Sequence, residues 1–328
     1  MNSIPALVSR IAHLPSPLGG LALAIAGLGW SLENLGPGFN GQAQLMGALL
    51  ATPLLLLLMA KFVLHPRVLW QELSHPLLGS VLPTFAMGLM TVSNCLGQYA
   101  PRVASGVWTF AVLVHICFFT LFAGHRLRRF KLTDMAPSWF VPPVGIIVAA
   151  FAMPTGAYLA LAQGLLGFGL ISYGLLLPLM LYRLIVCAPL ATAAMPSLAI
   201  LAAPASLSLA GYLSITQQVN PIVIALLLPL ALLMTSVVYL AAPTLLRLPF
   251  SPGYAAFTFP MVIGATALFK VSAWMSANGM KELSVTVHDL ALVELLIACL
   301  TVLWVSICFF KYFFPTAFAK TRQPTLST

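Results

Sequence analysis

The chain has 328 residues, of which 61% are apolar and 6% are Asp, Glu, Lys or Arg, against about 25% charged in an ordinary soluble domain. That composition excludes a water-soluble globular fold. One helix crossing a bilayer takes about 20 apolar residues, so roughly 200 apolar positions correspond to about ten crossings.

Continuous apolar runs, separated by polar or Pro/Gly punctuation, predict membrane helices near 17–35, 42–64, 78–99, 103–125, 138–153, 157–185, 197–215, 221–246, 252–274 and 288–313. The fifth run is the shortest, and Pro142 and Pro143 blur its start. None of the runs alternates with the period of two that a membrane β-strand requires. The expected class is an all-α polytopic membrane protein made of one transmembrane domain over 1–328. Met1–Pro15 lacks the layout of a signal peptide, so the first span is expected to be retained.

Ten spans put both termini on one side and allow the basic residues to be sorted. Arg10, Lys61, Arg67, Arg126, Arg128, Arg129, Lys131, Arg183, Arg247, Lys311, Lys320 and Arg322 fall on that side; Arg102 and Lys281 fall on the other. The asymmetry predicts cytoplasmic termini and accounts for the net charge of +9 without a nucleic-acid partner. Within the set, Arg126, Arg128, Arg129 and Lys131 form a cluster suited to anionic lipid, and its field also concentrates anions nearby. The five cysteines lie mostly in apolar runs, with no CxxC and no Cys/His spacing of a zinc site. No metal or other cofactor is expected.

The odd-numbered spans carry Pro17, Pro83, Pro143, Pro204 and Pro260, spaced by 66, 60, 61 and 56 residues, each near small residues such as Gly19, Gly88, Gly145 or Gly264. An interior proline removes a helix hydrogen bond, which membranes tolerate where neighbours or water satisfy the freed carbonyl. The repeat predicts five tandem hairpins whose kinked odd helices close a ring around an axis. Proline is not confined to these spans, since Pro53, Pro178 and Pro229 lie in even ones.

Five stretches carry a resemblance: Pro15–Asn34 (PSPLGGLALAIAGLGWSLEN), Glu72–Pro83 (ELSHPLLGSVLP), Pro137–Gly145 (PSWFVPPVG), Ala203–Leu213 (APASLSLAGYL) and Gly253–Leu268 (GYAAFTFPMVIGATAL). Each is short and apolar, and their weight comes from lying in order along the chain. Together they resemble the tellurite-resistance/dicarboxylate transporter family, which includes TehA-type bacterial proteins, plant guard-cell slow anion channels, yeast malate permease and fungal sulfite exporters. The resemblance implies ten helices around a central anion pathway, and a homotrimer in which each protomer has its own pore. It also implies a pore-blocking phenylalanine at the second Phe of Ala256-Phe257-Thr258-Phe259, which is Phe259. Pro260 stands where the family frequently has Gly, a departure that bears on the local helix bend.

Taken as a residue, Phe259 is one of 20 phenylalanines, and most membrane Phe side chains pack against helices or lipid. A ring across a narrow pore would act as a hydrophobic constriction that opens by rotamer change. Pro83, Pro143, Pro204, Phe257, Thr258 and Pro260 are the candidates for lining or bending the path, with Thr84, Ser206, Ser208 and Thr266 as further weak hydroxyl ligands. Lys270 falls inside the ninth run and is counted with neither side, about 16 Å beyond Phe259 along a straight helix. Three readings stay open for it: snorkelling to the far interface, pairing with Glu294 on the tenth span, or attracting anions into a vestibule. His115, in mid-span without an evident partner, reads as a hydrogen-bonded packing residue. Glu72 and His75 read as capping the start of the third span, with a role at the pathway mouth as the alternative.

No GxSxG, HExxH or phosphate-binding glycine loop is present, so no enzyme is expected. The expected function is passage of a small inorganic or carboxylate anion across a cytoplasmic membrane. One alternative is a proton-linked or facilitated carrier of C4-dicarboxylate, sulfite or tellurite-type oxyanions. A more remote one is a membrane sensor or scaffold without transport.

Overall fold

The computed structural model describes residues 9–314. Lys320 and Arg322, counted above with the basic residues of one side, lie outside the described residues. Among the described residues every regular element is helical. The chain is an all-α polytopic membrane protein.

The first hairpin is α1 (Leu18–Leu32) and α2 (Gln42–Leu64), followed by the short α3 (Pro66–Ser74). The second pairs α4 (Leu78–Val81) and α5 (Pro83–Gly97) with α6 (Pro101–Arg128). In the third, α7 (Val141–Val144) and α8 (Val148–Phe151) alternate with 3-10 turns at Pro137–Phe140 and Gly145–Ile147 before α9 (Leu159–Val186). The fourth opens with a 3-10 stretch, Thr192–Ala202, that runs into α10 (Ala203–Ile215) and returns as α11 (Pro221–Leu245). The fifth begins with a 3-10 stretch at Pro252–Phe257, continues as α12 (Thr258–Ala277) and ends with α13 (Lys281–Phe313).

Nine stretches among the described residues are long and apolar enough to cross a membrane, and Pro137–Phe151 is a shorter apolar one. Its 3-10 turns rise about 2.0 Å per residue against 1.5 Å for α-helix, which stretches fifteen residues to about 26 Å. The last helix starts at Lys281 rather than near 288, because a helix can continue past its apolar part.

The first segments of the hairpins are inside and the second ones outside. In the long inner stretches 61–89% of the most apolar window is buried, against 22–39% in the outer ones. The inner segments also contact one another in a closed order: α1 on α5, α5 on α8, α8 on α10, α10 on α12, and α12 back on α1. Five inner segments thus surround an axis, each backed by its hairpin partner.

Lipid supplies no hydrophobic drive between helices, so such packing depends on close backbone approach at small residues. Gly29 and Gly47 show this where α1 crosses α2. A Cβ at Gly29 would lie 2.4 Å from the Ala43 carbonyl oxygen, and one at Gly47 would lie 2.8 Å from that of Ile25.

The inner prolines do not interrupt the long α-helices. Pro17 is the N-cap of α1, Pro83 the first residue of α5, and Pro142 and Pro204 occupy the first turns of α7 and α10. Pro143 follows Pro142 inside the four-residue α7, and Pro260 is the third residue of α12. First-turn N–H groups have no partner in an α-helix, so a proline there forfeits nothing. These prolines mark where a 3-10 or broken leading half gives way to a regular helix. The outer helices, by contrast, carry Pro53, Pro178, Pro229 and Pro243 inside unbroken α stretches.

Candidate functional site

The leading halves of the five inner segments enclose a cavity of about 500 Å³. Small and apolar side chains make most of its wall, and Ser16, Thr84, Ser197 and Ser251 add hydroxyls. Leu23, Met87, Val144, Leu207 and Phe259, one residue from each inner segment, line it towards the middle of the ring. No residue of the trailing halves of these segments is on its wall.

One sector of the wall is ionic. Lys61, in the last turn of α2, is 1% exposed and donates to the Leu14 carbonyl at 2.7 Å, Ser16 Oγ at 2.9 Å and Glu72 Oε1 at 2.6 Å. The Ser16 hydroxyl donates in turn to Glu72 Oε2 at 2.6 Å. The three ammonium protons therefore all have acceptors, and the triangle ties the lead-in to α1, the end of α2 and α3 together. A buried pair is tolerated when its geometry is good and its remaining groups are bonded, as here. Lys61 is thus more than a loop charge that sets orientation. Nearby, His75 Nδ1 accepts from the backbone N–H groups of Leu77 and Leu78, each at 3.2 Å, and so caps the lead-in to α4. Arg126 donates to the Ser74 carbonyl and Trp139 Nε1 to that of Pro76 at 2.9 Å, fixing the same loop.

Beyond the cavity the ring is filled. The edge of the Phe259 ring is 3.8 Å from where a Cβ would sit on Gly27 of α1. Further on, the Trp30 and Phe151 rings meet at 5.0 Å between centroids, tilted by 40°. They come from the first and third inner segments, which are not neighbours in the ring, so this contact reaches across it. Lys270 Nζ lies 6.0 Å from the Trp30 ring centroid, within cation–π range. Eleven residues are three helical turns plus about 20°, so Lys270 is on the same face of α12 as Phe259.

The sequence candidates divide. Phe259, Pro260, Pro204 and Thr84 are on the cavity wall. Pro83, Pro143, Phe257 and Thr258 are buried but not on it. Phe257 packs on Tyr254, and the hydroxyls of Thr258, Thr266 and Ser206 donate to carbonyls of their own segments. Ser208 is fully buried and off the wall. Lys270 does not pair with Glu294, whose Oε2 accepts from Tyr239 at 2.6 Å. His115 Nε2 lies 2.8 Å from the Pro142 carbonyl, which can only accept, so that nitrogen carries the proton. Among the described residues no three His, Cys, Asp or Glu side chains gather as metal ligands.

Sequence reasoning missed the Lys61–Glu72–Ser16 triangle and the Trp30–Phe151 contact. A lysine at the end of an apolar run followed by a lone acid was the only available sign of the first. Nothing short of the fold pairs Trp30 with Phe151.

Residues 17–312 match the family described as voltage-dependent anion channel, and the chain belongs to that family. It is 34% identical to a sulfite efflux pump of Trichophyton rubrum over 100 residues, 27% of each chain. It is 29% identical to an uncharacterized transporter of Methanocaldococcus jannaschii over 180 residues, 51% of this chain and 52% of the other. The matched stretches thus span between about a quarter and about half of these relatives.

Proposed function

We propose that this member of the voltage-dependent anion channel family passes small anions along the axis of its ten-span ring, with Phe259 as the closed gate. The observation that carries the reading is the cavity drawn from all five inner segments, with Phe259 among the residues at its inner end. An anion would enter from the side on which the inner segments begin. Scattered hydroxyls on an apolar wall hold it weakly, which suits rapid passage. Rotation of the Phe259 ring would open the middle, and the Trp30–Phe151 contact is the second closure it must pass. Lys270 beside that contact supplies positive potential at the far mouth. The Lys61 ammonium, with its protons already bonded, serves to hold the near mouth in shape.

The basic residues favour cytoplasmic termini, so the open cavity would face the cytoplasm of a cell whose cytoplasmic membrane holds the protein. A homotrimer with one pathway per chain is the assembly that the family resemblance supports. A second reading, export of sulfite or a similar oxyanion, is favoured by the stretch shared with the sulfite efflux pump.

Purified protein in liposomes, supplied in turn with chloride, nitrate, sulfite and malate, tests both readings. Phe259→Ala is expected to raise flux of the preferred anion severalfold. Unchanged flux in a well-folded variant would remove Phe259 as the gate. Sulfite movement without chloride or nitrate movement would favour the second reading.

A further inference from the structure

The short helix α3 is amphipathic, and its two faces meet different surroundings. Leu73 is buried and Leu69 packs on the core, while Glu72 turns inward to Lys61 at the cavity mouth. Trp70 precedes Glu72 by two residues, about 200° around the helix, so it points the opposite way. It is 54% exposed, and Arg67, one turn earlier, is exposed as well. The Trp70 ring meets that of His125, near the end of α6, at 5.1 Å between centroids and 74° between planes. Arg126 donates to the Ser74 carbonyl at the end of α3. These two contacts lay α3 against the end of α6.

Five cations belong to this seam: Arg67 on α3, Arg126 and Arg128 on α6, and Arg129 and Lys131 just after it. None of them forms an ion pair among the described residues. The two elements and the turn after them carry only two acids, Glu72, which Lys61 holds, and Asp134. Large apolar side chains stand exposed on the same helix ends: Val63 and Leu64 on α2, Leu127 on α6 and Phe130 after it. Cations interleaved with exposed aromatic and aliphatic groups mark the level where lipid headgroups meet acyl chains. A nucleic acid or an acidic peptide would use the charge and leave the apolar groups in water. A phospholipid of net negative charge satisfies both.

We propose that the seam between α3 and the end of α6 binds an anionic phospholipid, with its phosphate among Arg67, Arg128 and Arg129 and its chains against the exposed apolar groups. Because α3 carries Trp70 and Glu72 on opposite faces, the bound lipid clamps the helix that supplies the counter-charge of Lys61. It thereby braces the near mouth of the cavity from outside. The site is separate from the axis, and its test does not read anion flux.

The full-length protein in a neutral detergent is titrated with phosphatidylglycerol, with phosphatidylcholine of the same acyl chains, or with inorganic phosphate. Melting temperature is followed together with amide hydrogen exchange of the Pro66–Ser74 peptide. Phosphatidylglycerol is expected to raise the melting temperature saturably by several degrees, as a ligand of the folded state does, and to slow exchange over Pro66–Ser74. Phosphatidylcholine and inorganic phosphate are expected to do neither. Arg67→Gln on α3 and Arg128→Gln/Arg129→Gln on the other side of the seam replace exposed side chains, so folding is kept. They are expected to need on the order of fivefold more phosphatidylglycerol for each charge removed. Arg247→Gln, at an exposed cation after α11, is expected to respond as the wild type does. An equal response to phosphatidylcholine or to inorganic phosphate would overturn the proposal. So would unaltered midpoints in both seam variants, a loss in Arg247→Gln as large as theirs, or exchange over Pro66–Ser74 that phosphatidylglycerol does not slow.

Discussion

The two halves of the inner ring are built differently from the same five segments. The leading halves, regular helix in the first segment and 3-10 or broken helix in the others, are rich in Pro, Ala, Ser and Gly, and a cavity of about 500 Å³ lies between them. The trailing halves of α1, α5, α10 and α12 are regular α-helix, and a tilted ring contact reaches across that half from Trp30 to Phe151. A 3-10 stretch has poorer hydrogen-bond geometry than an α-helix and rarely runs long without support. Here Thr192–Ala202 runs for 11 residues. The comparison teaches that the open half rests on a buried ion pair at its mouth, while the closed half rests on packing together with an amide network of Gln44, Asn94 and Gln98 at its far end. Each half should therefore fail in its own way.

The largest effect on stability is expected in the open half. Glu72→Ala leaves the Lys61 ammonium buried without its carboxylate, and loss of one partner of a buried pair costs about 3–5 kcal/mol. The fall in melting temperature in detergent measures it, with Lys61→Met/Glu72→Leu expected to recover part of the loss. If Glu72→Ala melts as the wild type does, the polar ties are not what holds this half. In the packed region, Gly47→Leu forces α1 and α2 apart and is expected to cost about 1–3 kcal/mol, as overpacking does. A melting temperature equal to wild type would show that the α1–α2 crossing tolerates separation. The smallest stability change is expected for Lys270→Gln, which gives up a cation–π contact of about 0.5–1 kcal/mol. That variant is expected instead to lower the preference for anions over cations in liposome flux. Unaltered selectivity would confine Lys270 to its contact with Trp30.

How much of this was legible in the sequence follows from how local each feature is. The inner position of the odd segments shows in the recurrent prolines beside small residues, because both report close approach and helix starts within a few residues. Their structural meaning was harder to read. Pro83 and Pro204 occupy the first turn of an α-helix, and a sequence pattern does not separate that position from a mid-helix kink until the preceding 3-10 stretch is known. The facing of Lys270 was available from helical period, since eleven residues return to the Phe259 face. Its lack of a bond to Glu294 was not, because Tyr239 comes from another hairpin and takes that carboxylate. Lys61 and Glu72 are separated by a turn whose direction only the fold supplies, and Trp30 meets Phe151 only because the ring closes.

The measurement that bears most directly on the central claim is anion flux into liposomes for wild type, Phe259→Ala, Trp30→Ala and the double variant, each at equal reconstituted protein. Two closures in series on one axis predict a modest rise for Trp30→Ala, a larger one for Phe259→Ala, and the greatest for the double variant, exceeding both. A double variant no faster than Phe259→Ala would contradict the second closure, and four equal fluxes would contradict an anion path along this axis.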